Sequence, residues 1–231
     1  MKKLMKLTTI IMVFVFGLFL TGCTKSDALK FKKEFESLNG KKSSSGNEIR
    51  KVTIPEDNPI VYATAEQIVN KIENGQTFVV YFGFASCPWC RSMVEELIKS
   101  AKDNNISTVY YVDVLKIRDK YEVKDGKLVQ TEEGTDAYNE LINLLDDVLD
   151  DYTVTTDSGE KMDTKEKRIY APNVVAVVNG AAIEKIDGVS EKLDDPYSEL
   201  TEEMKTESYN SFKCLWDCLS KESTMCSKNA C

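Results

Sequence analysis

The chain has 231 residues, 42% of them hydrophobic, with 30 Lys and Arg against 38 Asp and Glu for a net charge of −8. That is enough for one sizeable core, and the acidity argues against a nucleic-acid-binding surface. There is no histidine, which excludes Ser-His-Asp and Cys-His catalytic units, HExxH zinc chemistry and His-ligated haem, and leaves seven cysteines as the main source of chemistry.

In chain order, Lys2, Lys3 and Lys6 precede an uncharged run from Leu7 to Leu20, the layout of an export signal. Leu20-Thr21-Gly22-Cys23 closes it and resembles a bacterial lipobox. The resemblance implies a signal peptide over 1–22, removed on maturation, and a lipid attached at Cys23. The protein would then be held on the extracytoplasmic face of a bacterial cell membrane. An uncleaved anchor is the competing reading, but the run falls short of the roughly 20 residues that span a bilayer. Residues 23–51 carry a net +4 and the chain from Val52 onward a net −15. With the polar stretch Lys41-Lys42-Ser43-Ser44-Ser45-Gly46, residues 23–51 read as a flexible tether.

A globular body is expected over 52–195. Thr64 and Gln67 have capping-box spacing, Ile68, Val69 and Ile72 form an apolar face, and Gly75 is placed to end that helix. Thr77 to Phe84 is a near-continuous apolar run, as in a central strand covered on both faces, with Tyr81 and Phe82 in the core. A helix from Pro88 to Lys102 and a parallel strand from Ile106 to Val114 would complete a strand-helix-strand crossover. Beyond it, Asp125-Gly126 suggests a hairpin. Tyr138, Leu141, Ile142, Leu145, Val148, Leu149 and Tyr152 keep helical spacing. Asp146-Asp147 and Asp150-Asp151 match no EF-hand loop and read as a solvated face rather than a calcium site. Asp157-Ser158-Gly159 marks a turn. Asn173–Val178, Asn179-Gly180 and Ala181–Ile186 give the clearest hairpin pattern in the chain.

Cys87-Pro88-Trp89-Cys90 falls at the junction of the central strand and the next helix. Proline loses nothing in a first helical turn, and unpaired N–H groups at the helix entrance stabilise a thiolate. Cys87 is therefore the expected nucleophile. Cys90, one turn in, is the expected resolving thiol, and Arg91 adds positive charge nearby. A static disulfide and half of a zinc site use the same spacing. The strand-to-helix setting favours redox exchange.

This arrangement resembles the thioredoxin superfamily over about residues 60 to 190. The resemblance implies an α/β, thioredoxin-like fold with a helical and hairpin insertion before the strand that follows Pro172. It also implies that Ala171 and cis-Pro172 face the cysteine pair and bind the substrate backbone. Trp89 reads either as a substrate platform or as a side chain packed on the domain. Thioredoxins carry a buried aspartate where this chain has Tyr81, so oxidase or isomerase activity is expected ahead of reductase. The layout is most similar to thioredoxin-like lipoproteins of Gram-positive bacteria, some of them bacteriocin transport accessory proteins.

Residues 196–231 read as a helical extension with four cysteines. Cys214 and Cys218 project on one helix face, and a chain that doubles back favours nested pairing, Cys218 with Cys226 inside Cys214 with Cys231. Structural disulfides are the expected role, with a zinc site or a second redox pair as alternatives. The expectation as a whole is a lipid-anchored thiol-disulfide oxidoreductase acting on cysteine-containing exported proteins or peptides. It needs no dissociable cofactor or metal, only a redox partner that resets the pair. A non-catalytic accessory lipoprotein that assists peptide export or assembly is the alternative.

Overall fold

The computed structural model describes residues 25–156 and 158–220. The expected signal segment, the lipobox cysteine Cys23, and Cys226 and Cys231 lie outside the described residues. No helix among the described residues is long and apolar enough to cross a membrane.

The fold is α/β, built on a five-stranded mixed sheet. Its central strand β2 (Phe78–Gly83) is buried at every position, as its apolar run requires. To one side lie the parallel strands β3 (Val109–Asp113) and β1 (Ile60–Tyr62). To the other lie the antiparallel strands β8 (Asn173–Val178) and β9 (Ala181–Ile186), giving the order β1-β3-β2-β8-β9. Alternation along β2 sends Val79 and Tyr81 to one face of the sheet and Phe78, Val80 and Phe82 to the other.

The first face is covered by α3 (Pro88–Asp103), which is separated from the end of β2 by four residues, by α5 (Glu202–Ser220) and by helix α1 (25–36). The second is covered by α2 (Ala65–Glu73) and α4 (Asp136–Leu145). Helix α2 opens on the expected capping box: Thr64 Oγ1 accepts from Gln67 N–H, and Gln67 Oε1 accepts from Thr64 N–H. Between β3 and β8 the chain inserts two hairpins around α4, namely β4 (Lys120–Lys124) with β5 (Lys127–Glu132), and β6 (Asp150–Thr155) with β7 (Lys161–Arg168). A buried pair joins the base of one hairpin to the other, Arg168 Nη1 lying 2.7 Å from Asp119 Oδ1.

The structure corrects three expectations. Residues 25–36 are a helix rather than part of a flexible tether, and Ala28, Phe31 and Phe35 are buried in the main core. The 3–4 residue spacing of these three makes an apolar stripe, and Phe31 packs edge-on against Tyr111 at 5.0 Å between ring centroids. Helix α4 stops at Leu145. Asp146–Val148 is a single 3-10 turn, and Leu149 and Tyr152 are buried from an extended segment. Carboxylates disfavour a helix C-terminus, and here they end it. Asp150 and Asp151 then pair with Lys185 and Lys167. Finally, α5 belongs to the main core. Phe212, Leu215 and Trp216 are buried there, and the Trp216 indole donates to Ser100 Oγ on α3 at 3.0 Å.

Truncating Phe35 to alanine is expected to cost about 3–5 kcal/mol, the usual penalty for emptying a buried aromatic site. Urea unfolding of Phe35→Ala measures it, and a loss below about 0.5 kcal/mol is what a surface tether would give.

Candidate functional site

Because β2 is enclosed by neighbours on both sides and by helices on both faces, its continuation has to leave the sheet at its C-terminal end. It turns through Ala85 and Ser86 directly into α3, and Cys87 becomes the residue that caps this helix. Its backbone is extended (φ −68°, ψ 119°), Pro88 fills the first helical position, and Cys87 Sγ accepts from the Cys90 N–H at 3.2 Å. Capping usually falls to an oxygen. With sulfur in that place, the orphan N–H groups of the first turn point at the atom that can become a thiolate.

Both cysteines are free thiols in this structure. They differ sharply. The neighbouring Cys90 thiol, and after it the Cys90 and Trp89 N–H groups and the Arg118 guanidinium, hold Cys87 below the ordinary cysteine value against the opposing effect of burial. Burial pushes Cys90 well above that value, and the charge that develops on Cys87 pushes it further. One sulfur is thus disposed to be a thiolate while the other keeps its proton. No group of three or more His, Cys, Asp or Glu side chains is arranged to hold a metal ion among the described residues.

The third component comes from β8. Its pairing with β2 sets Asn173 opposite Phe82 and carries the preceding loop up to the cysteines. The Cys87 thiol donates to the Ala171 carbonyl at 3.2 Å, and the Ala171–Pro172 peptide is cis, as the resemblance implies. Asn173 fixes this loop, accepting from Tyr170 N–H at 2.8 Å and donating to the Pro172 carbonyl at 2.9 Å. Trp89 is half-buried. It packs against the edge of the main core and also lines a groove of ≈ 1130 Å³. Ala171, Pro172 and the 188–193 segment line the same groove.

Arg91 has a different role from the one its position suggests. It is 1% exposed, and its guanidinium donates to the carbonyls of Arg50, Phe35 and Ala85 and to Asn39 Oδ1, at 2.7–3.0 Å. That network ties the 35–50 segment to the start of α3. The cation that acts on Cys87 is Arg118, on the loop after β3, stacked 5.1 Å from the Phe84 ring. Nothing local in the sequence marks it, because the crossover alone brings the end of β3 beside the end of β2.

At the C-terminus, Cys214 and Cys218 are both disulfide-bonded, whereas the expected partners Cys226 and Cys231 fall outside the described residues. Searches of protein-family models, of curated proteins and of solved structures return no significant match to this chain.

These surroundings fix the sign of a pH dependence. A thiol held below its ordinary value is already reactive where free cysteine, near 8.5, is largely protonated. Iodoacetamide labelling of the reduced chain, read by mass spectrometry, is expected to find Cys87 as the fast site with a midpoint below that of free cysteine, and Cys90 protected. Arg118→Met removes a positive charge and shifts the Cys87 midpoint upward. A midpoint unchanged by Arg118→Met contradicts the assignment of Arg118.

Proposed function

We propose that this chain is a thiol-disulfide oxidoreductase of thioredoxin-like fold, acting on cysteine-containing exported proteins or peptides. The observation that carries the reading is the asymmetric Cys87–Cys90 pair at the entrance of α3, with the Cys87 sulfur against the Ala171 carbonyl. The strand order, with three parallel strands and an antiparallel hairpin, supports the fold assignment.

The chemistry follows from the geometry. Cys87 as thiolate attacks a substrate disulfide, forming a mixed disulfide and expelling the other substrate sulfur. A substrate segment lying in the groove beside Trp89 runs along Ala171 and Pro172, which line the same groove. Cys90 then attacks Cys87, the substrate leaves reduced, and the pair is left as a disulfide. Run backwards, the same steps oxidise a substrate dithiol. A redox partner resets the pair, and no dissociable cofactor takes part.

The export signal and lipobox support a site on the extracytoplasmic face of the membrane, with Cys23 as the lipid attachment point. Helix α1 begins at residue 25 and is buried against the body from Ala28 onward. A lipid at Cys23 would therefore hold the body close to the membrane surface rather than on a long tether.

Insulin reduction and refolding of reduced ribonuclease, compared between the wild type and Cys87→Ser, test the reading. The wild type is expected to accelerate at least one of them and Cys87→Ser neither. Equal behaviour of the two proteins favours a non-catalytic accessory role instead.

A further inference from the structure

Gly83 follows Tyr81 on the same face of β2, because strand side chains alternate. A Cβ at Gly83 would stand 2.5 Å from the Tyr81 hydroxyl and 2.6 Å from its Cζ and Cε2 atoms. The phenol ring therefore lies along the strand over bare backbone, with its hydroxyl directed toward the end where the cysteines sit. Tyr81 is fully enclosed in the core that also holds Cys87 and Cys90, and its hydroxyl lacks a hydrogen-bond partner. Its polar neighbour is the Cys90 thiol. Burying a hydroxyl without a partner is unfavourable, and a side chain that gains one only in a transient state is a feature of sites that act on that state.

Resting on the dithiol-disulfide reading of Cys87 and Cys90, we propose that Tyr81 stabilises the Cys90 thiolate during resolution of the mixed disulfide, by donating a hydrogen bond from its hydroxyl to the sulfur. Burial holds the phenol well above its ordinary value, so it keeps its proton and has it to donate. In the step itself, Cys90 loses its proton and its sulfur forms the bond to Cys87 Sγ. The bond between Cys87 and the substrate sulfur breaks as that bond forms. Its electron pair leaves on the substrate sulfur, which is reduced and takes up one proton in exchange for the one Cys90 gave up, while the Cys90 sulfur is oxidised. Tyr81 ends the step unchanged. The other titratable groups that reach Cys90 are Cys87 at the start of α3 and Tyr111 on β3, and Arg91 on α3 reaches Tyr81. Tyr111 sits one strand away, with its ring 5.2 Å from that of Tyr81.

A chromogenic nitrobenzoate disulfide, added to the full chain with Cys87 and Cys90 reduced, separates the two half-reactions. The first thiol released reports attack by Cys87, and the second reports resolution by Cys90. Tyr81→Phe keeps the ring over Gly83 and removes only the hydroxyl. It is expected to leave the first release unchanged, to slow the second about tenfold and to raise the pH midpoint of the second by about one unit. Tyr111→Phe is expected to leave both as in the wild type. Gly83→Ala, which displaces the ring, is expected to slow the second release alone, and it decides the matter if Tyr81→Phe does not fold by circular dichroism. A second release at the wild-type rate and midpoint in Tyr81→Phe overturns the proposal, as does equal slowing of both releases. A wild-type chain that gives no second release removes the dithiol-disulfide reading itself.

Discussion

The hydrogen bond from the Cys90 backbone N–H to Cys87 Sγ joins the fold to the chemistry. It exists because β2 is surrounded, so the chain has to turn out of the sheet at once and begin a helix. The residue at that turn faces N–H groups with no partner inside the helix, and whatever acceptor stands there is favoured as an anion. With no histidine in the sequence, a neighbouring imidazolium cannot supply the charge that often activates a thiol. Here the helix entrance, the second thiol and Arg118 share that work.

Two arginines near the pair divide structure from reactivity. Arg91 is enclosed and spends its donors on three carbonyls and an amide oxygen, which fixes the 35–50 segment against the first turn of α3. Asn39, one of those partners, also bonds Val52 through both its oxygen and its nitrogen. The N-terminal segment is thereby part of the wall behind the cysteines. Arg118 is half-buried on a loop and stacked on Phe84, near enough to act on Cys87 while remaining outside that network. The flat guanidinium suits both settings, as a fork for carbonyls in one and as a stacked charge in the other.

What could be read from the sequence was whatever is encoded locally. The capping box at Thr64, the buried run of β2, the Asn179-Gly180 hairpin and the cysteines at a strand-helix junction each depend on residues within one or two turns of each other. Contributions from distant segments were not legible. Phe31 and Phe35 sit among lysines and glutamates, and only the tertiary structure shows that this short stripe has a core to face. Leu149 and Tyr152 continue the spacing of α4, yet both are buried from an extended segment, where periodicity alone does not separate the two. Tyr81 was legible as core, while its hydroxyl beside Cys90 depends on the missing side chain of Gly83.

The central claim is that Cys87 and Cys90 form a reversible two-electron couple distinct from the disulfides of Cys214 and Cys218. Equilibrating the native chain across a series of thiol-disulfide buffers, quenching by alkylation and counting labels by mass tests it most directly. The account predicts one reversible transition in which Cys87 and Cys90 gain or lose labels together, while Cys214 and Cys218 stay oxidised until more reducing conditions. A pair that remains fully labelled in the most oxidising buffer, or that opens only together with the C-terminal disulfides, would contradict it.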